Sequence, residues 1–111
     1  MWIMTKDGFF SAVQDWDDNE CVYVRARREA DLENLNMTLT DEAPIIKTFD
    51  SDYRYRVHLP KSVWAQYVFD AAWDIDYSNF KSEIATHSRD HAKAYHGVWE
   101  VLYRLQTTEN R

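Results

Sequence analysis

The chain has 111 residues, of which 45% are hydrophobic and 15% aromatic, and its formal net charge is −6. This composition excludes a disordered chain, and the length predicts one domain over residues 1–111, since cores split into several domains above roughly 250 residues. The acidic balance argues against direct binding of nucleic acid or of an anionic membrane, because both need a positive surface. With a single cysteine, Cys21, a disulfide-stabilised secreted scaffold is not expected. Early charges and the lack of a long apolar run favour a cytoplasmic protein.

The first half of the chain is predicted to consist mainly of strands. Asp7-Gly8 lies between two apolar runs and predicts a hairpin, because Gly tolerates a positive φ. Alternation of apolar and polar residues predicts a strand that begins at Cys21 and another that ends before Pro60. A short helix is predicted at 29–36. The predicted strands are residues 2–4, 9–13, 21–27, 45–49 and 53–59.

The second half is predicted to be helical. An apolar stripe predicts a helix over 63–75. Ser78 or Asn79 can cap a following segment, 80–86, and a last helix is predicted at 89–106. Strands followed by helices predict an α+β fold, with an antiparallel sheet of about four strands and helices on one face. The element order is ferredoxin-like with extra C-terminal helices.

The predicted strands 21–27 and 53–59 each sort their side chains onto two faces, because successive residues of a strand point to opposite sides. Tyr53 and Tyr55 belong to the apolar set that is expected to face the helices. The opposite face is predicted to be basic and to carry arginines beside aromatic rings. Guanidinium groups in such a place suit phosphates, carboxylates or stacked bases, because the planar fork donates two hydrogen bonds and also stacks. The alternatives to a ligand-binding face are a solvated face balanced by acidic neighbours, a face covered by the C-terminal helices, and a homodimer interface. The opposite, basic face is predicted to carry Tyr23, Arg25, Arg27, Arg54, Arg56 and His58.

An acidic segment follows the second predicted strand and is a candidate partner-binding loop. Trp16 within it is the one tryptophan expected to be exposed, and an aromatic residue among charges favours a contact surface. Trp2, Trp64, Trp73 and Trp99 are expected in the core. The predicted partner-binding residues are Asp15, Trp16, Asp17 and Asp18.

Two further patterns are weak. His87 and His91 have the i, i+4 spacing of a zinc pair, but no third ligand completes a site. Asp70 and Asp74 share the polar face of a helix, where carboxylates are usually solvated. Two glycines cannot build a phosphate-binding loop, and no nucleophile motif is present. The sequence therefore predicts no catalytic residue, no metal site and no cofactor.

Several segments, spread in order over most of the chain, together resemble a family of small bacterial proteins with no assigned activity. They are MTKDGFFSAV at 4–13, VRAR at 24–27, DYRYR at 52–56, DYSNFK at 76–81 and YHGVWEVLY at 95–103. The resemblance implies a compact bacterial or phage-type cytoplasmic protein and implies no mechanism. It directs attention to polar residues that packing alone would not require. These are Lys6, Arg25, Arg27, Asn79, Lys81 and His96.

These features predict a non-enzymatic binding or regulatory module. Its basic sheet face, completed by Lys6, Asn79, Lys81 and His96, would hold an anionic small molecule or an acidic protein surface. A second hypothesis is an acidic anti-defence inhibitor of phage type, which binds a basic nucleic-acid-binding protein through the acidic loop. A third is a small hydrolase or nucleotide-processing enzyme that uses Asp76 or His96 as its acid–base group. A homodimer that buries the sheet face, with no ligand, is the fourth.

Overall fold

The computed structural model describes residues 1–109, and these residues form five strands and four helices. The elements are β1 (Trp2–Met4), β2 (Phe9–Gln14), β3 (Cys21–Ala26), α1 (Glu29–Thr38), β4 (Ile46–Lys47), β5 (Tyr55–Pro60), α2 (Lys61–Trp73), α3 (Phe80–His87) and α4 (Arg89–Thr107). The chain divides into two compact units, Met1–Ile75 and Asp76–Arg111. The single domain over 1–111 stays a prediction. No helix in the described part of the chain is long and apolar enough to cross a membrane.

The five strands of the first unit form one antiparallel sheet in the order β1-β2-β3-β5-β4. Helices α1 and α2 both contact the central strands β3 and β5. This architecture confirms the predicted α+β fold with an antiparallel sheet and helices, and it has five strands where about four were expected. The ferredoxin-like element order stays a prediction.

The core of the first unit follows from the alternation along β3 and β5, in which every second residue is buried. Phe10 of β2 is fully buried, and its ring meets Trp64 and Tyr67 of α2 edge-on, with centroids 6.1 and 5.9 Å away. Burying a side chain of this kind stabilises the fold by about 1.5–3 kcal/mol. The opposite sheet face therefore takes the remaining strand residues, among them Ser11, Arg25 and Arg56. The buried strand residues of the core are Phe10, Ala12, Val22, Val24, Ala26, Val57 and Leu59.

The turn between β1 and β2 is held by hydrogen bonds to its own backbone and to α2. The Thr5 backbone N–H donates to the Gly8 carbonyl at 2.9 Å, and Gly8 has a φ of 158°. This turn confirms the predicted hairpin. The Tyr67 hydroxyl donates to Asp7 Oδ2 at 2.7 Å and lies 2.8 Å from Thr5 Oγ1, so the turn is tied to α2.

The second unit is a pair of packed helices, α3 and α4. The ring of Phe80 in α3 stacks on Tyr95 in α4, with centroids 5.8 Å apart. The Asn79 side chain accepts the Ser82 backbone N–H at 2.9 Å, which confirms Asn79 as the cap of α3. Such a cap satisfies one of the N–H groups that the first turn of a helix leaves without a partner.

The tryptophans only partly match the expectation from sequence. Trp64 is buried and Trp16 is 98% exposed, and both placements are confirmed. The core placement of Trp2, Trp73 and Trp99 is wrong, because these side chains are 76%, 79% and 48% exposed. Trp2 lies in β1, an edge strand with a neighbour on one side only, and Trp73 is the last residue of α2. Trp99 lies in the C-terminal half of α4, where Lys81 Nζ of α3 lies 4.2 Å from the ring centroid but leaves the ring 48% exposed.

Candidate anion-binding face

Two arginines lie directly opposite each other on neighbouring strands of the sheet. Arg25 of β3 is in register with Arg56 of β5, and both side chains are half-buried on the face away from the buried valines Val24 and Val57. We call Arg25 and Arg56 the arginine pair. Like charges in directly opposed positions destabilise a sheet. Within residues 1–109, no carboxylate lies within ion-pair distance of either guanidinium.

Neutral groups hold the arginine pair in place. Arg25 donates from Nη2 to Ser11 Oγ at 2.8 Å and from Nε to the Ser11 carbonyl at 3.4 Å. Arg56 donates from Nη2 to Ser51 Oγ at 3.0 Å, and its buried Nε has no acceptor among the described residues. Of the five N–H donors of an arginine, Arg25 thus uses two and Arg56 one. Both guanidiniums are oriented while most of their donors remain available.

The ring of Tyr53 lies beneath two arginines, which corrects its predicted place on the core-facing side. The guanidinium carbons of Arg25 and Arg27 lie 4.6 and 4.1 Å from the ring centroid. Alternation holds only within a strand, and β5 begins at Tyr55, so it does not fix the direction of Tyr53. Tyr55 itself packs against the core, as predicted. Stacking on an aromatic face stabilises a guanidinium by about 0.5–2 kcal/mol and leaves its N–H edge available to an anion.

Tyr23 and His58 occupy the next register position on the same face. They are opposite each other in β3 and β5, with ring centroids 5.0 Å apart, and the Arg56 guanidinium carbon lies 6.0 Å from the Tyr23 ring. His58 Nε2 lies 2.7 Å from Asp15 Oδ2, within hydrogen-bond distance. The aromatic pair therefore separates the arginine pair from the acidic turn that contains Asp15.

The other two arginines of the predicted basic face have partners of their own. Arg27 donates from Nη1 to the side chain and the carbonyl of Asp52, at 3.0 and 2.7 Å, in an exposed ion pair. Arg54 lies before β5, and its guanidinium carbon is 5.9 Å from the exposed Phe49 ring. Arg27 thus borders the arginine pair through Tyr53, whereas Arg54 contacts the neighbouring turn.

The acidic segment forms the turn between β2 and β3, and its carboxylates organise that turn. Asp15 Oδ1 accepts the Asp17 N–H at 2.9 Å, and Asp18 Oδ1 accepts the Glu20 N–H at the same distance. The Asp17 N–H and, after it, His58 hold the pKa of Asp15 below its ordinary value of 3.8. Two of the predicted partner-binding carboxylates are therefore occupied locally, while Trp16 between them is almost fully exposed.

The remaining predicted ligand residues have local surroundings. Lys6 is exposed in the β1–β2 turn. In the second unit, Asn79 caps α3, Lys81 Nζ lies 4.2 Å from the centroid of the Trp99 ring, and the His96 ring stacks on Trp99 at 5.7 Å. A role for these four residues in completing the basic face stays a prediction.

Sequence analysis missed the two serines that orient the arginine pair. Ser11 is 1% exposed and lies opposite Arg25 in the register of β2 and β3. A polar residue within the apolar run FFSAV was a usable signal for it, because Ser11 shares a strand face with Phe9 and Val13. Ser51 lies in the turn before β5, where no periodicity indicates which side chain contacts the sheet.

Comparison of the chain with protein-family models, with curated proteins and with solved structures gives no match. The resemblance to a family of small bacterial proteins therefore stays a prediction, and the function is argued from the geometry alone.

Proposed function

We propose that the protein is a binding module that holds an anionic group on the basic sheet face. The observation that carries this proposal is the directly opposed arginine pair, which has no carboxylate partner among the described residues. A phosphate or carboxylate bound beside these two arginines would offset the repulsion between like charges in opposed positions through charge-assisted hydrogen bonds.

The arginine side chains are already held in place before a ligand binds, and this preorganisation also supports the proposal. Arg25 is fixed by Ser11 and by the Tyr53 ring, and Arg56 is fixed by Ser51. Side chains that are already ordered lose little conformational entropy when they bind, and a sheet positions them more rigidly than a loop does. The half-buried Tyr23 ring beside Arg56 adds flat apolar surface for the organic part of a ligand, whereas the buried Tyr53 ring supports Arg25 from beneath. The proposed ligands are an anionic small molecule or an acidic segment of a partner protein.

The test is a thermal-shift titration with three probes, namely inorganic phosphate, pyrophosphate and a hexaglutamate peptide. A ligand at ten times its dissociation constant stabilises the folded state by about 1.4 kcal/mol, which corresponds to a rise in Tm of about 6–11 °C for a domain of this size. We expect at least one probe to give this rise and the double variant Arg25→Gln/Arg56→Gln to abolish it.

The matched control is the double variant Lys93→Gln/Arg104→Gln, which removes two exposed positive charges from α4. It changes the net charge by the same amount, so a general electrostatic effect would weaken binding in both double variants. The proposal is refuted if no probe shifts the wild-type Tm, or if the two double variants lose the shift equally.

A second candidate function is favoured by Trp16, which is 98% exposed between Asp15 and Asp17. An exposed tryptophan among carboxylates suits a basic protein partner, as in an acidic inhibitor of a nucleic-acid-binding protein. An arginine-rich peptide added to the same titration separates the two functions. Binding that weakens with salt and is lost in Trp16→Ala, while the arginine pair is dispensable, would favour the second function.

A further inference from the structure

The C-terminal half of α4 carries a broad apolar surface that its partner helix leaves largely exposed, although Lys81 of α3 lies over one of its rings, that of Trp99. Its six members are each between 39% and 65% exposed. At 100° per residue they span an arc of about 200° around the helix, and the polar residues Glu100 and Arg104 lie on the remaining side. We call this set the α4 stripe: Val98, Trp99, Val101, Leu102, Tyr103 and Leu105.

The lengths of the two helices explain why α3 leaves most of the α4 stripe exposed. Helix α3 has 8 residues and α4 has 19. At 1.5 Å per residue they are about 12 and 28 Å long, so α3 can accompany less than half of α4. The contact of Phe80 with Tyr95 marks the end of α3 that lies farthest along α4. The apolar surface then continues from Val98 for two more turns.

The spacing of the apolar residues suits a second helix of the same kind. Tyr95, Val98, Leu102 and Leu105 follow one another in steps of three, four and three, which is the repeat of helices that pack side by side in bundles. Tyr95 stacks on Phe80 of α3, and the other three residues belong to the α4 stripe. A helix from another copy would continue the same seam where α3 ends.

Charge and area favour a second copy of this chain as the occupant. Residues 76–111 contain five Lys or Arg and five Asp or Glu, so all of the net charge of −6 lies in residues 1–75. Two second units can therefore meet without net repulsion, whereas the acidic first unit would oppose an anionic lipid surface. Six half-exposed side chains of this size offer on the order of 600 Å² per copy, close to the roughly 800 Å² per partner of a standard interface.

We propose that the α4 stripe is a self-association surface on which a second copy packs its own α4, so that two α3–α4 hairpins form a four-helix bundle. The interface is independent of the arginine pair. It differs from a dimer through the sheet face, because it uses none of the residues of that face.

Sedimentation velocity over a dilution series tests the proposal with the full chain, whose monomer mass is 13.3 kDa. We expect twice this mass at high concentration and dissociation on dilution. Leu102→Asp should raise the dimer dissociation constant by about 100-fold or more, because each dimer then carries two charges in the centre of its interface. Met37→Asp, at an exposed residue of α1, is the matched control and should leave the dissociation constant unchanged.

The proposal is overturned if the wild type stays a monomer throughout, or if folded Leu102→Asp dimerises as the wild type does. Loss of the dimer in Arg25→Gln/Arg56→Gln would overturn it as well, because the sheet face would then be the interface. Co-sedimentation of a monomeric wild type with vesicles of phosphatidylcholine and phosphatidylserine would assign the stripe to a lipid surface instead.

Hydrogen exchange of the wild type provides a measurement that does not depend on a variant that folds. Amides from Val98 to Leu105 should exchange more slowly in concentrated than in dilute protein, whereas exchange in β3 should not change with concentration. Equal exchange of the 98–105 amides at both concentrations contradicts the proposal.

Discussion

Substituting Gly8 with alanine should be among the most damaging single changes to the first unit. A Cβ at this position would lie 2.4 Å from Asp31 Cγ and 2.6 Å from Asp31 Oδ2, closer than real Cβ atoms approach other heavy atoms. The φ of 158° at Gly8 is also one that L side chains rarely adopt. Asp31 has little room to move aside, because it is 3% exposed and accepts the Phe9 backbone N–H at 3.1 Å.

Three costs add up in Gly8→Ala. Unfavourable backbone conformation, overpacking and a buried hydrogen bond weakened by the displaced carboxylate each cost about 1–3 kcal/mol. We therefore expect a loss of at least about 3 kcal/mol in the free energy of unfolding, measured by urea denaturation followed by circular dichroism. Tm should fall by at least about 12 °C.

Gly97→Ala is the control, because it makes the same substitution but is expected to raise the free energy of unfolding instead of lowering it. Gly97 lies inside α4, and a Cβ there would meet no atom within 4 Å. Gly97→Ala should therefore stabilise the helix by about 1 kcal/mol, because alanine restricts the unfolded chain and favours a helix. If Gly8→Ala cost less than about 1 kcal/mol, the close contact with Asp31 would be refuted.

Two further predictions concern local hydrogen bonds. The pKa of Asp15 should lie below 3.8 in the folded protein, because the Asp17 N–H and His58 favour its ionised form. Its contribution to stability is therefore present above the unfolded pKa and is lost as the pH falls through the folded pKa. An NMR titration of the carboxyl carbon should show that pKa rising in His58→Ala but staying below 3.8, and a pKa that does not move would exclude the contact with His58. Asn79→Ala should lower the free energy of unfolding of α3 and α4 in urea by about 1 kcal/mol, because the Ser82 N–H loses its acceptor. Asn79→Ser should keep most of that stability, because serine can also cap a helix. An unchanged stability in Asn79→Ala would contradict the cap.

Much of the sheet could be predicted because alternation and turn chemistry are local signals. The period along β3 and β5 placed Tyr23, Arg25, Arg56 and His58 on one face, and the register of the two strands brings them together. The same reasoning failed at Tyr53, because the period was carried two residues beyond the start of the strand. A sequence pattern shows alternation, but it does not show where the ladder of hydrogen bonds begins.

Helix α4 shows a different limit of prediction from the sequence. The apolar period of α4 predicted an amphipathic helix and, with it, a buried Trp99. Periodicity shows that a helix has an apolar face but not which element covers it. Burial of that face depends on the length of the partner helix, and α3 ends after 8 residues. The exposed half of α4 is therefore a consequence of chain length between two caps, Asn79 and Ser88, rather than of composition.

The negative net charge and the basic sheet face are compatible because they act over different distances. The Debye length at physiological salt is about 8 Å, so an approaching anion feels little of the distant carboxylates until it is near the sheet. There, the nearest charges are those of Arg25 and Arg56, while the Asp15 carboxylate is already bonded to His58 and the Asp17 N–H. The screened net charge would therefore change the approach of an anion little, whereas the oriented guanidiniums would slow its departure. An acidic protein can in this way hold an anion through a small, rigid site without becoming a general binder of nucleic acid.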